Sequence, residues 1–451
     1  MARFTQEIRP TLKLALPMII GQVGIHLIVV IDTAMIGRVG VVELAAAAFA
    51  NNFVGPFMMF GFGLVSACSV LVAQAFGRSD AAGARTVVYL GLLLIGLYSV
   101  GLGVSMYGIK EAAHWLNQPP EVLEACWDYL ILINWSNVPM LLFSCLKAYS
   151  EALNRPWYPL PFLGLALVLN VFFNWLLIFG NGGFPALGLE GAGWATLLSR
   201  LIALGALSVA MSRFGPFYLR WRPASFRTDF RKVKTYLKLG VPTGFQILFE
   251  VTAFNLTTIM MGWVGTLTLA AHAIALNYAA LTFMVPLALS FAVSIRVGQA
   301  AGQGDREKIR NIGKASTAVT VLFMGLAGLC FVVFRHQLPW LMLSPGQEDV
   351  AAVIALASVF LVVGAVFQIV DGLQVVMIGA LRGLQDVTIP TISVFVVYWL
   401  ICLPVGYLLG FPLGLGGLGI WYALAGGLAL NALAMTGRFW YVAGRPLKVG
   451  L

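Results

Sequence analysis

Apolar residues occur in twelve long runs along this chain, and short polar segments separate them. Each run provides the roughly 20 residues with which an α-helix crosses the hydrocarbon core of a bilayer. Because lipid offers no partner to a bare backbone group, such runs are expected to be helical. The pattern predicts an all-α integral membrane protein with twelve transmembrane helices, called spans 1–12 below. They lie near residues 12–36, 42–74, 85–108, 122–146, 157–180, 190–213, 236–262, 267–299, 310–334, 349–381, 387–410 and 416–441.

Composition indicates the same class of protein. Of the 451 residues, 60% are hydrophobic and only 10% are charged, whereas about a quarter of the residues of a soluble domain are charged. The first apolar run is too long for the apolar region of a cleaved signal peptide, so none is expected. The five cysteines stand singly in apolar runs, which indicates buried small side chains rather than disulfides or a metal cluster.

The net charge of +10 could suggest nucleic-acid binding, but the positions of the basic residues indicate membrane topology instead. If the N-terminus is cytoplasmic, all but four of the 28 Lys and Arg residues fall on cytoplasmic loops and helix ends. The exceptions are Arg38, Lys110 and Arg335 on the outer side and Arg200 within span 6. We therefore expect both termini in the cytoplasm, contact with a lipid bilayer and no nucleic-acid partner.

The chain contains an internal repeat. Residues 17–80 align with residues 242–305 without a gap, and roughly a third of these positions are identical. Because each half holds an even number of spans, both halves share one orientation and are related by an axis along the membrane normal. The sequence predicts two parallel six-helix repeats. Matching segments include Thr33–Gly37 with Thr258–Gly262 and Gln74–Gly77 with Gln299–Gly302.

The repeat predicts the domain organisation. Residues 1–215 form an N-terminal lobe with spans 1–6, and residues 236–451 form a C-terminal lobe with spans 7–12. The polar, basic stretch between them is expected to be a cytoplasmic linker over residues 216–235. Two parallel bundles are typical of a rocker-type transporter that binds substrate between its repeats. A duplicated structural membrane protein without transport is the alternative.

Three acidic residues, Asp32, Glu250 and Asp371, lie within predicted spans. An ionised carboxylate at membrane depth costs at least about 2–3 kcal/mol, so it implies a partner, a cavity or a bound cation. In the repeat alignment Asp32 corresponds to Thr257 and Glu250 to Ile25, so the fold itself does not require these acids. They are therefore candidates for cation binding and coupling, although Asp32 could also be solvated at the outer end of span 1.

Polar residues on spans 5 and 6 could support Asp32. Asn170 and Asn174 are one turn apart on one helix face, where they can join Asp32 around a cation or hydrogen-bond to neighbouring helices. Arg200 on span 6 can pair with an acid or extend to the membrane surface, and the sequence leaves this choice open.

Other polar and aromatic residues could support Glu250 and Asp371. Asn255 follows Glu250 by about one turn, and Gln368 precedes Asp371 by one turn. Tyr398 lies within span 11. Aromatic side chains suit bulky apolar cations through cation–π contact, although they are also ordinary on lipid-facing helices.

No motif for enzymatic chemistry or nucleotide binding is present in the sequence. The glycine-rich segments lack GxxxxGK[ST], and there is no HExxH or nucleophile–base arrangement. We expect neither an enzyme, nor a cofactor, nor a structural metal. Because no ATPase module is encoded, transport would be driven by an ion gradient. A buried carboxylate could couple to that gradient by holding a proton or by joining amide oxygens around Na⁺.

The acidic and glycine-containing segments of the spans resemble those of the multidrug and toxic compound extrusion (MATE) family, and within it the NorM group. The resemblance extends over about residues 8–440. It is carried by Asp32-Thr33-Ala-Met-Ile-Gly37, Ala73-Gln-Ala-Phe-Gly77, Glu250, Gln368-Ile-Val-Asp371, Gly379-Ala-Leu-Arg-Gly383 and Tyr398-Trp399.

The resemblance implies a V-shaped, two-lobe antiporter that is coupled to Na⁺ or H⁺ and expels amphipathic, often cationic drugs. It implies a second-lobe cation site at Glu250 and Asp371, where Na⁺ could bind transiently, and a first-lobe site at Asp32. Asn174, and less directly Asn170, match polar positions beside the first-lobe acid.

The chain departs from the NorM group at Phe367, where the group commonly has tyrosine. The missing hydroxyl puts Na⁺ coupling in doubt and favours H⁺. We expect a functional monomer of the bacterial inner membrane whose partners are small-molecule drugs and organic cations. Export of an endogenous metabolite or lipid-linked intermediate is the alternative, but the mainly acidic buried charges favour cationic cargo.

Overall fold

The computed structural model of the chain describes residues 2–109, 120–213, 219, 229–343 and 349–445. A 3₁₀ turn, Asn181–Gly183, lies between α5 and α6, and a π-helical segment, Val396–Cys402, joins α12 to α13. The α-helices of the described residues are α1 (Ala2–Ile36), α2 (Val41–Gly77), α3 (Ala81–Ile109), α4 (Pro120–Ala152), α5 (Leu160–Leu177), α6 (Gly188–Arg213), α7 (Phe230–Val264), α8 (Thr266–Gln303), α9 (Arg306–Val333), α10 (Gln337–Trp340), α11 (Val350–Gly383), α12 (Thr388–Phe395), α13 (Leu403–Gly410) and α14 (Gly416–Gly444).

The described helices confirm the prediction of twelve membrane spans. Twelve segments are long and apolar enough to cross a bilayer, with α12, the π-helical segment and α13 together forming one of them, Thr388–Gly410. Most of the predicted linker 216–235 lies outside the described residues, as does Lys110.

Helix α9 shows how a span is divided between lipid and protein. One face carries exposed apolar side chains at helical spacing, while the opposite face, including Met324 and Phe331, is buried. An apolar face with no protein cover is stable only against lipid, since in water it would be an aggregation site. The exposed side chains of this face are Leu322, Leu326, Leu329 and Val333.

The two repeats share their turn geometry as well as their sequence. Ser79 and Gly304 occupy equivalent positions and both have left-handed backbone angles, with φ of 60° and 74°. The residue after each one starts the next helix: Asp80 accepts a hydrogen bond from a backbone N–H at 2.8 Å, and Asp305 does so at 2.9 Å. Such a cap provides a hydrogen-bond acceptor for a backbone N–H of the first helical turn, which has no acceptor within the helix. The predicted duplication is confirmed at the level of the backbone.

The described residues form two compact units, and their boundaries lie inside helices. One unit contains the chain up to Ile19 together with the chain from Phe245 onwards, and the other contains Ile20–Gly244. The crossings within α1 and α7 fall at equivalent positions of the repeat. The compact units therefore differ from the predicted lobes, because each repeat contributes the start of its first helix to the other unit.

Two buried hydrogen-bonding residues explain this exchange of helix starts. Arg296 on α8 donates to the backbone carbonyl of Glu7 at 2.8 Å, to the Glu7 carboxylate and to the Thr11 hydroxyl. In the other unit, the Tyr236 hydroxyl donates to the Leu64 carbonyl at 2.7 Å. Thr11 and Tyr236 correspond when the repeat alignment is extended towards the N-terminus without a gap. The order of the spans along the chain could not predict this packing, since it depends on contacts between side chains that are far apart in the sequence.

The described cysteines are free thiols, and all but Cys330 are buried. The packing nevertheless brings Cys68 and Cys145 within 3.6 Å of each other, sulfur to sulfur. This pair could not be predicted from the sequence, because the two residues lie on different helices.

Candidate functional site: two acidic clusters

The first cluster, called the Asp32 cluster, consists of Asp32, Asn170, Asn174 and Thr196, and it lies within the unit Ile20–Gly244. Asn174 Nδ2 donates to Asp32 Oδ1 at 2.6 Å, and the Thr196 hydroxyl lies 3.4 Å from Asp32 Oδ2, to which it donates. Asn170 is joined to both partners, with its Oδ1 3.3 Å from Asn174 Nδ2 and its Nδ2 3.4 Å from Thr196 Oγ1. The structure thus brings together all three residues that the sequence singled out in this half.

Helices α5 and α6 position the partners of Asp32. Asn170 and Asn174 are one turn apart on the buried face of α5, and Asn174 Oδ1 has no hydrogen-bond partner among the described residues. Thr196 and Arg200 are one turn apart on α6. Sequence reasoning missed Thr196, because hydroxyl side chains are common within helices and do not stand out in an apolar run. The free amide oxygen leaves this cluster with one unused acceptor beside the carboxylate.

Arg200 lies beside the Asp32 cluster and does not extend away from it. Its guanidinium donates to the Ser136 hydroxyl on α4 at 2.7 Å. Thr196, one turn earlier on the same helix, donates to Asp32. The structure therefore favours a position within the bundle, beside the Asp32 cluster, over extension to the membrane surface.

The second cluster, called the Glu250 cluster, consists of Glu250, Asp371, Gln374 and Tyr398, and it lies in the other unit. Gln374 Nε2 donates to Glu250 Oε1 at 3.2 Å and to the Tyr398 hydroxyl oxygen at 2.9 Å. The Tyr398 hydroxyl also lies 3.4 Å from Glu250 Oε1, to which it can donate. Three separate segments, α7, α11 and the π-helical segment, meet at this carboxylate.

Asp371 supplies the second carboxylate of this cluster. It is 5% exposed, and its Oδ1 has no hydrogen-bond partner among the described residues. It lies one turn before Gln374 on the buried side of α11, and Gln374 donates to Glu250, so Gln374 connects the positions of the two acids. Gln368, one turn earlier, uses its amide nitrogen on the Ala279 carbonyl at 3.4 Å and leaves its buried Oε1 without a partner. The unpaired oxygens make this the best candidate cation site in the described chain.

The π-helical segment Val396–Cys402 carries the fully buried Tyr398 toward Glu250. A π-helical turn widens the helix locally and is frequent at functional sites. The sequence predicted an ordinary span here.

Phe367 lies in an aromatic wall beside the Glu250 cluster. Its ring centroid is 5.5 Å from that of Trp421 and 6.2 Å from that of Phe254, and Phe254 also contacts Tyr398 at 6.0 Å. Asn255, by contrast, is exposed and is not part of the cluster. Of the proposed supporting residues on this side, Tyr398 contacts the carboxylate of Glu250, whereas Asn255 does not.

Arg382, in the last turn of α11, completes the electrostatics of the Glu250 cluster. It is 6% exposed, and its Nε has no hydrogen-bond partner among the described residues. Its positive charge attracts Glu250.

Among the described residues no group of three or more His, Cys, Asp or Glu side chains converges. The oxygens available for a cation are therefore carboxylate, amide and hydroxyl oxygens.

Comparison with known proteins agrees with this architecture. The family model described as MatE matches residues 17–176 and 242–408, one segment in each repeat. A probable multidrug resistance protein NorM from Mesorhizobium japonicum is 37% identical over 439 residues, which cover 96% of this chain and 94% of the relative. A NorM from Aliivibrio fischeri is 31% identical, with coverage of 100% and 98%. The solved structure of a MOP superfamily transporter from Pyrococcus furiosus superposes with a TM-score of 0.88 at 17% identity, covering 97% of this chain and 96% of that one.

A duplicated twelve-span fold with an acidic cluster inside the spans of each compact unit defines a multi-pass membrane transporter. The chain belongs to the MatE family, and its relatives place it in the NorM-like group. The resemblance inferred from the sequence motifs is thereby confirmed.

Proposed function

We propose that the protein is a cation-coupled antiporter that exports amphipathic, often cationic compounds across the bacterial inner membrane, with both termini in the cytoplasm. The observation that carries the proposal is the Glu250 cluster, in which Glu250 is joined to Gln374 and Tyr398. The buried Asp371 lies one turn before Gln374 on α11 and leaves its Oδ1 unpaired. The names of the NorM relatives support multidrug export. Each chain contains both clusters, so a monomer holds the complete set of coupling residues.

In this mechanism, a monovalent cation and a cationic compound compete for the negative charge of Glu250 and Asp371. Binding of either one lowers the affinity for the other, and this thermodynamic coupling is reciprocal. Na⁺ would be held by carboxylate and amide oxygens, as hard cations prefer. A proton would instead bind a carboxylate directly. Inward movement of the cation down its gradient then drives export of the compound.

The test is uptake of a fluorescent cationic compound into inside-out membrane vesicles loaded with either Na⁺ or acid. We expect one of the two gradients to drive accumulation. Glu250→Gln and Asp371→Asn should each slow this uptake at least about tenfold, because the amide keeps the shape but removes the charge that couples the two ligands. Asp128→Asn, at an exposed acid of α4, is the matched control and should transport normally.

Unchanged uptake in both amide variants, at equal protein levels, would show that the site is elsewhere. If the wild-type protein is expressed but neither gradient drives accumulation of the fluorescent compound in the vesicles, the alternative is favoured. The exported substrate would then be an endogenous metabolite or a lipid-linked intermediate.

A further inference from the structure

A cavity of about 130 Å³ lies within the unit Ile20–Gly244, where the end of α2, the start of α3 and the start of α7 meet. Three charged side chains line it, Arg78, Asp80 and Lys232, and most of the remaining lining is apolar. This cavity is called the Arg78–Lys232 pocket below. Its volume equals that of roughly four water molecules in the liquid, so it has room for one phosphate group.

The equivalent place in the other unit holds an ion pair. Leu71, which lines the pocket, corresponds to Arg296 in the repeat alignment, and Lys232 corresponds to Glu7 when that alignment is extended towards the N-terminus. Arg296 and Glu7 are paired with each other, and both side chains are largely buried. The pocket has a shorter, neutral side chain in place of the arginine and a base in place of the acid. It therefore keeps both open space and a positive charge where the other unit is filled and neutral.

The two bases of the pocket have no acidic partner. Arg78 and Lys232 are half-buried, and neither forms an ion pair with a described residue. Asp80 accepts a hydrogen bond from a backbone N–H of α3 at 2.8 Å, and Asp229 accepts one from a backbone N–H of α7 at 3.0 Å. The nearby acids thus cap helices, and the lining has one net positive charge. A guanidinium fork beside an ammonium group suits the oxygens of a phosphate.

The pocket lies at the ends of membrane spans. The span of α2 ends at Gly77 and that of α3 begins at Ala81, on the same side of the membrane as the N-terminus. Two apolar side chains close to the pocket in the sequence, Phe76 on α2 and Leu237 on α7, are exposed. Apolar surface of this kind on a span is covered by lipid. A molecule that combines a phosphate with acyl chains matches both the charges and this surface, whereas free phosphate would match the charges alone.

We propose that the Arg78–Lys232 pocket binds the phosphate group of an anionic phospholipid from the leaflet on the side of the N-terminus. The Arg78 guanidinium and the Lys232 ammonium group hold the phosphate oxygens, and its single negative charge neutralises the lining. A zwitterionic phospholipid binds less tightly, because its headgroup brings a positive charge close to two bases. Basic pockets between membrane helices bind anionic headgroups in this way. The proposal is independent of the antiport proposal, which concerns the acids within the spans.

The experiment counts the phospholipids bound to the purified full-length protein in detergent by native mass spectrometry, as phosphatidylglycerol or phosphatidylcholine is added. We expect one phosphatidylglycerol to bind about tenfold or more tightly than phosphatidylcholine. Arg78→Gln and Lys232→Gln should each lower that affinity about fivefold, because each removes one basic group from the site. Arg155→Gln, at an exposed arginine after α4 on the same side of the membrane, is the matched control and should bind as the wild type does.

A double variant tests the pocket by filling it. Leu71→Arg combined with Lys232→Glu copies the ion pair of the other unit, so it should occupy the space and remove the net positive charge. We expect this protein to fold, as thermal unfolding in detergent would show, and to lose its preference for phosphatidylglycerol. Leu71→Met changes the same position without adding charge or much volume and should keep the preference.

Equal affinity of the wild type for the two lipids would overturn the proposal, as would an unchanged preference in the folded Arg78→Gln and Lys232→Gln proteins. Inorganic phosphate, added as a competitor at the same concentrations as the lipid, separates the two sources of the phosphate group. We expect it to leave the bound phosphatidylglycerol in place. Displacement would instead indicate a site for free phosphate and would overturn the assignment to lipid.

Discussion

At the scale of single residues, the Glu250 cluster depends on one hydroxyl that is present and one that is missing. Tyr398 contacts both Gln374 and Glu250, so it links α11 to α7 through the π-helical segment. Phe367, in the same aromatic wall, offers no oxygen to a cation. Of these two aromatic residues, therefore, only Tyr398 can offer a hydroxyl oxygen to a bound cation.

Phe367→Tyr should therefore increase the response to Na⁺ relative to H⁺. The added hydroxyl would supply an oxygen ligand near Asp371, and Na⁺ gains more from an extra oxygen than a proton does. The measurement is vesicle uptake driven by each gradient in turn. Phe360→Tyr, at a ring on α11 that also stacks on Trp421, adds the same hydroxyl elsewhere and should leave the ratio unchanged. An unaltered Na⁺ response in a folded Phe367→Tyr protein would show that this position does not set ion selectivity.

Sequence reasoning found the acids but not all of their partners. A charge within an apolar run is conspicuous whatever the fold, so Asp32, Glu250 and Asp371 could be identified without a structure. Hydroxyls such as those of Thr196 and Ser136 occur throughout helix interiors and give no comparable signal. The meeting of Glu250 with its partners depends on long-range packing, which no local pattern encodes.

At the scale of elements, the spans follow from apolar length alone, whereas their irregularities do not. Twelve helices were predictable because a bilayer requires about 20 apolar residues of each. The π-helical turn of span 11 depends on how Tyr398 packs against neighbouring helices. The equivalent turns at Ser79 and Gly304 could be recognised only as a repeated motif, since the left-handed geometry appears in the structure.

Gly304→Val should destabilise the protein by about 1 kcal/mol or more, because φ is 74° there and a β-branched residue is strained in the left-handed region. No atom lies within 4 Å of an added Cβ, so backbone strain alone is tested. Gly304→Asn should be tolerated, since asparagine adopts this region more readily. Thermal unfolding in detergent measures the difference. Gly325→Val, equally uncrowded but within α9, is the control, and an equal loss in both valine variants would argue against strain.

At the scale of the whole molecule, the compact units do not coincide with the two halves of the sequence. The exchange occurs at equivalent points of α1 and α7, and buried polar contacts at Glu7, Thr11 and Tyr236 hold the exchanged ends. The domain prediction assigned spans 1–6 to one lobe and spans 7–12 to the other. The order of the spans along the chain does not show which helix bundle each helix end packs against.

Arg296→Met should lower the free energy of unfolding by about 3 kcal/mol, because it leaves the largely buried Glu7 carboxylate without its partner. Adding Glu7→Gln should restore much of this loss, since the unpaired charge is then gone. Thermal unfolding in detergent is again the measurement. Arg438→Met breaks a more exposed ion pair, Arg438–Asp386, and should cost within about 1 kcal/mol. Equal effects of the two arginine substitutions would contradict the anchoring role of Arg296.

The exchanged helix ends also bear on how such a chain could have arisen. A single six-span repeat, expressed from an unduplicated gene, could not complete its own bundle, since the start of its first helix belongs with a second copy. Its functional form would have been a domain-swapped homodimer, in which each subunit lends one helix end to the other. Fusion of two such genes turns a concentration-dependent assembly into an intramolecular one. It also allows each copy to acquire its own charged residues. Two equivalent positions differ in this way: the first repeat has Asp32 where the second has Thr257, and the second has Glu250 where the first has Ile25.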